Sequence, residues 1–111
     1  MVPAVELNVS SRSHGDHVIV TAAGEIDLYT APKLQSDLAA IIEGAAPATR
    51  VVLDMSGVEF CDSTGMNALL AGLRQVRGRG GDLELAAPRP AVRKSLPVTG
   101  LDAVFTITPL P

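Results

Sequence analysis

Apolar Val5, Leu7 and Val9 alternate with polar Glu6, Asn8 and Ser10 near the start of the chain. A period of two turns one set of side chains to a core and the other to water, which predicts a half-buried strand ending near Ser11. Residues 12–17 follow with Gly15-Asp16 at their centre, the chemistry of a tight hairpin turn. Beyond it the segment 17–23 is rich in β-branched residues, so the chain is expected to return as a second, antiparallel strand.

From Thr30 the period changes. Leu34, Leu38, Ile41 and Ile42 stand at i, i+4, i+7 and i+8, one apolar stripe on a helix. Thr30 is a capping type, Pro32 is tolerated in a first turn whose amides lack intrahelical partners, and Gly44 supplies the stop. Residues 50–54 then form a short continuous apolar run, the pattern of a central parallel strand covered on both faces. Asp62 and Ser63 are both strong capping types, and Met66, Leu69, Leu70, Leu73 and Val76 keep helical spacing until Gly78, Gly80 and Gly81. Arg74, Arg77 and Arg79 near that end complement the helix dipole. A strand over 82–87, a short helix from 89 to about 96 and a last strand over 104–107 complete the pattern. This order predicts an α/β fold in one domain spanning 1–111. Its mixed, mostly parallel sheet of about five strands is covered by about three helices through right-handed crossovers.

Composition narrows the function. With 47% hydrophobic and 19% charged residues the chain has enough apolar surface to fold. A net charge of −3, with Phe60, Phe105 and Tyr29 as the only aromatics, argues against nucleic acid and for a protein partner. The chain holds no apolar run of about 18 residues, and its first residues lack the basic stretch and apolar core of a signal peptide. A cytoplasmic protein without membrane contact is therefore expected. Cys61 is the single cysteine, so an internal disulfide and a cysteine-built metal site are excluded, and it reads as a small buried hydrophobe. His14 and His17 read as hairpin polarity, with no second ligand cluster beside them. No metal and no cofactor is expected.

Nor does the sequence carry an enzyme's apparatus. It lacks a G-x-S-x-G elbow, a P-loop and a G-x-G-x-x-G, and the glycines at 78–81 follow a helix instead of opening one. Asp62-Ser63-Thr64-Gly65 has one residue too many for the Asp-Thr/Ser-Gly of aspartic proteases and leads into a helical stripe. By itself the tetrapeptide is a helix cap.

Its context says more. The run from Val51 through Asp54, Gly57, Cys61 and Asp62-Ser63-Thr64-Gly65 to Met66 resembles the phosphorylation segment of bacterial anti-sigma factor antagonists of the STAS class. Gly24-Glu25-Ile26-Asp27, ahead of Thr30-Ala31-Pro32, resembles a second signature of that family, at the family's spacing. The resemblance implies a STAS fold and a non-enzymatic switch. The unphosphorylated form binds an anti-sigma factor that is also a serine kinase of ATPase fold, releasing a sigma factor. Phosphorylation of Ser63 abolishes that binding, and a serine phosphatase resets it. Thr64 is the rival phosphosite. Asp27, Asp62, Ser63, Thr64, Gly65, Met66 and Asn67 match the family's partner-contact positions. The alternative is a STAS adaptor of a transport or signalling complex that is never phosphorylated.

The chain departs from the family at Met66-Asn67, where Leu-Gly is usual. Pro97 is expected to end or kink the third helix. Related domains commonly continue into a further helix beyond the position of Pro111, so exposed sheet and a homodimer are also expectations.

Overall fold

The computed structural model describes residues 7–109; Val5 and Glu6 of the first predicted strand lie outside them. Five strands form one sheet in the order β1-β2-β3-β4-β5. β1 (Leu7–His14) and β2 (His17–Ile26) are the antiparallel hairpin, in register from Leu7 opposite Gly24 to His14 opposite His17. Gly15 takes φ 64° in the turn, a conformation that glycine adopts without a Cβ penalty. β1 runs on past the predicted end at Ser11, because Ser11, Arg12 and Ser13 still pair across to Val20, Ile19 and Val18. The rings of His14 and His17 meet edge to face, with centroids 5.3 Å apart.

α1 (Ala31–Gly44) crosses to β3 (Arg50–Cys61), α2 (Ser63–Gly78) crosses to β4 (Asp82–Ala86), and α3 (Pro90–Thr99) with a 3₁₀ turn at Leu101–Ala103 leads to β5 (Thr106–Thr108). β2 through β5 are mutually parallel, with β3 at the centre of the sheet. A strand order that advances one way through right-handed crossovers puts every helix on the same face. The main core bears this out. Val20, Ala22, Val51, Leu53, Leu83 and Leu85 from the strands pack with Leu34, Leu38, Leu69, Leu73, Val92 and Leu96 from the three helices. Ile19, Val52 and Ala86 alternate with those strand residues and form a separate buried cluster made of strand residues alone. The apolar run 51–53 is thus met by helices on one side only.

Sequence periodicity understates β3, which spans 12 residues where five were expected. Two register shifts against β2, near Thr21 and Gly24, break the alternation without ending the strand. Gly57 sits where β2 approaches closely, since a Cβ there would lie 3.0 Å from the Ala23 Cβ. Of the two outcomes expected at Pro97, an end or a kink, the end does not occur. The proline lies in the last turns, where one ladder bond is lost, and the helix continues to Gly100, whose left-handed conformation (φ 76°) closes it. Val104 and Phe105 fall outside the last strand: Phe105 hooks into the core after the 3₁₀ turn, and only Thr106–Thr108 pair with β4. Of the three arginines, Arg77 pairs with Asp82 (3.1 Å), while Arg79 reaches back to the Ala45 carbonyl at the end of α1 (2.6 Å).

Candidate functional site

β2 and β3 end side by side, with Ile26 opposite Cys61, and from that shared edge the chain leaves in two directions. One exit is the loop into α1, and the other is the start of α2. The Asp62 amide donates to the Ile26 carbonyl (3.1 Å), fastening the two together.

Asp62 is the N-cap of α2. Its backbone is extended, its carboxylate accepts the Gly65 amide at 3.0 Å, and its carbonyl accepts the Met66 amide at 2.9 Å. Ser63 therefore stands at the first helical position, exposed. Thr64 is half-buried beside it, and Asn67 is exposed one turn on. Gly65 and Met66 face inward. Met66 is 1% exposed, its side chain packed into the core beneath the surface to which the sequence assigns it. Gly65 lets the helix end sit down on β2: a Cβ there would lie 2.5 Å from Ile26 Cγ2 and 2.8 Å from Cys61 Sγ.

Cys61 is buried under this turn, its thiol 3.7 Å from the Asp62 carbonyl. Burial, aided by the neighbouring Asp62 charge, pushes the thiol up to about 12. At neutral pH it is an uncharged core group rather than a nucleophile.

The loop into α1 is tied by its own polar groups. The Asp27 carboxylate accepts the amides of Tyr29 (2.8 Å) and Thr30 (3.1 Å), and the Asp27 amide donates to Thr30 Oγ1 (2.9 Å). Thr30 Oγ1 donates in turn to the Glu25 carbonyl at 2.7 Å. Thr30 occupies the N-cap position, yet its hydroxyl points back into the loop and caps no helix amide, a correction to its predicted role. Asp27, assigned to partner contact, spends its carboxylate on holding the loop shut.

The described residues of the motifs thus meet at one end of the sheet. Pattern reading missed the apolar groups around them. Leu28 (62% exposed), Tyr29 (82%), Phe60 (50%) and Val98 (86%) are large and open to solvent. Val98 and Ser95 of α3 line a shallow hollow of about 220 Å³ with Cys61, Asp62, Ser63 and Met66. The signal available beforehand was Leu28-Tyr29 standing in a loop with no apolar periodicity to claim them. Among the described residues no three His, Cys, Asp or Glu side chains gather as metal ligands, and no helix is long and apolar enough to cross a membrane.

Comparison with known proteins places this geometry. The family model of the STAS domain matches residues 8–110. The anti-sigma-B factor antagonist of Bacillus subtilis (strain 168) is 29% identical over 104 residues, covering 94% of this chain and 93% of the relative. The crystal structure of an anti-sigma factor antagonist from Mycobacterium paratuberculosis superposes with a TM-score of 0.84 at 30% identity, covering 99% of this chain and 92% of that one. The Bacillus cell fate determinant SpoIIAA in its phosphorylated form shares the fold, with a TM-score of 0.70 at 20% identity over 96% of this chain and 92% of its own. With sheet order, capped α2 and family match in agreement along nearly the whole described chain, this protein belongs to the STAS domain family.

Proposed function

We propose that this chain is an anti-sigma factor antagonist. It binds an anti-sigma factor of the serine-kinase ATPase fold when Ser63 is free and releases it when Ser63 is phosphorylated, and a serine phosphatase restores the free form. The observation that carries the reading is the position of Ser63. Its hydroxyl is exposed at the first turn of α2, next to a loop that shares its edge of the sheet, while Thr64 is half-buried. A kinase needs a hydroxyl it can surround, which favours Ser63 over Thr64. The relatives named above are antagonists of anti-sigma factors, regulatory binding proteins and not enzymes.

The physical effect of the phosphate belongs to the interface. It adds about −1.5 to −2 charges at pH 7. At a helix N-terminus an exposed anion is favoured by roughly 0.3–1 kcal/mol, so the fold tolerates the group. A partner lying over it has to desolvate that charge beside the Asp62 carboxylate, and the complex is lost.

Ser63→Ala is expected to bind the anti-sigma factor constitutively, whereas Ser63→Glu binds at least about tenfold more weakly, a difference of about 1.4 kcal/mol. Both keep the wild-type circular dichroism spectrum. Titration calorimetry with the purified anti-sigma factor measures this; equal affinity for all forms refutes the assignment.

A further inference from the structure

Leu28 and Tyr29 are exposed by 62% and 82% on a loop that is anything but loose. Asp27 and Thr30 close it through four hydrogen bonds among Glu25, Asp27, Tyr29 and Thr30, between 2.7 and 3.1 Å. Thr30 itself is 5% exposed, and the Ala31 amide donates to the Asp27 carbonyl at 2.8 Å, so the loop is welded to the first turn of α1. A rigid mount matters because an aromatic already held in place loses little conformational freedom on docking, and such residues carry a disproportionate share of interface energy. Tyr29 is the only tyrosine of the chain, and the chain has no tryptophan.

Neighbouring groups define the occupant. The loop leaves the sheet at Ile26, opposite Cys61, two residues from Ser63. Phe60 (50% exposed) lies along the same edge. Carboxylates of Glu25, Asp27, Glu59 and Asp62 share that end of the sheet; the cations beside it are Arg89, 3.9 Å from Glu59, and Lys33 in the first turn of α1, which Asp37 pairs at 2.6 Å. An apolar knob in an acidic surround fits a protein cleft with an apolar floor and a cationic rim.

We infer that Leu28 and Tyr29 are the affinity anchor of this surface, seated in an apolar, cation-rimmed cleft of the anti-sigma factor, while Ser63 beside them supplies the switch. The inference rests on the proposed antagonist function. Affinity then resides in a loop that phosphorylation leaves unaltered, and regulation resides in a single charge at its margin. A partner-binding defect can thus arise in a chain whose phosphosite is intact.

The test uses the full chain and each purified anti-sigma factor of ATPase fold encoded in the source genome, with affinities read by titration calorimetry or biolayer interferometry. Tyr29→Ala is expected to weaken binding by roughly thirtyfold or more, in the range of interface hot spots, and Leu28→Ser by roughly tenfold. Their melting temperatures should stay at the wild-type value, because both side chains are exposed. Glu59→Lys is expected to slow association several-fold. If the wild-type chain binds while both loop variants bind as tightly, the anchor is overturned and the antagonist reading stands. If the wild-type chain binds none of the anti-sigma factors, both are overturned. Unchanged association by Glu59→Lys overturns the cationic rim.

Discussion

Cys61 stands two residues from the proposed phosphosite, which makes its chemistry worth deriving. The unfolded thiol ionises near its ordinary 9.0, and in the folded chain burial, then the Asp62 charge, push it up to about 12. The folded state therefore holds this proton more tightly than the unfolded state. The resulting stabilisation is complete below pH 9.0 and is lost as pH rises through about 12. At pH 8 the native thiol is neutral and 5% exposed. An aromatic disulfide reagent is accordingly expected to leave the native chain unmodified at pH 8 and to react with one thiol per chain after denaturation. Rapid stoichiometric reaction of the native chain contradicts this placement of Cys61. Asp27 makes a related point. Sequence matched it to a partner-contact position, and three dimensions engage its carboxylate with the Tyr29 and Thr30 amides, so its effect on a partner passes through loop shape.

The seating of α2 on β2 depends on one missing methyl group. A Cβ at position 65 would press to 2.5 Å from Ile26 and 2.8 Å from Cys61, both buried, so neither neighbour can give way without repacking. Gly65→Ala is expected to lift the first turn of α2 and destabilise the chain by roughly 1–3 kcal/mol. A thermal melt checks this, and an unchanged midpoint refutes the close-approach account. The motif was legible as a helix cap in sequence, and the cap is there, with Asp62 rather than Ser63 as the capping residue. All five strands and three helices were legible, β1, α1, α2 and β4 from a buried face that imposes a period of two or near 3.6, and β2 and β3 from β-branched or continuous apolar runs. Boundaries were less legible where something other than burial decides them. β1 is prolonged by pairing through polar residues, β3 runs through two register irregularities, and α3 outlasts Pro97 because Gly100 and not the proline terminates it. Thr30 was misread because a capping residue type serves a loop as well as it serves a helix.

At the scale of the molecule the proposed switch is a matter of placement. Monotonic strand order gathers the helices on one face and brings the ends of β2 and β3, the start of α2 and the last turn of α3 to one edge. Exposed apolar side chains, carboxylates and Ser63 share that edge, and a phosphate there would alter the proposed docking surface while leaving the core beneath it intact. The site was half legible beforehand: the polar motif announced itself by spacing, whereas the exposed Leu28, Tyr29, Phe60 and Val98 have no pattern until folding collects them. The most direct test is to incubate the chain with the proposed ATPase-fold anti-sigma factor and ATP and to locate the phosphate by mass spectrometry across residues 60–74, with Thr64→Ala in parallel. The account predicts one phosphate, on Ser63, in both chains, together with dissociation of the complex. Phosphate on Thr64, or its complete absence from a chain that binds the anti-sigma factor, would contradict it.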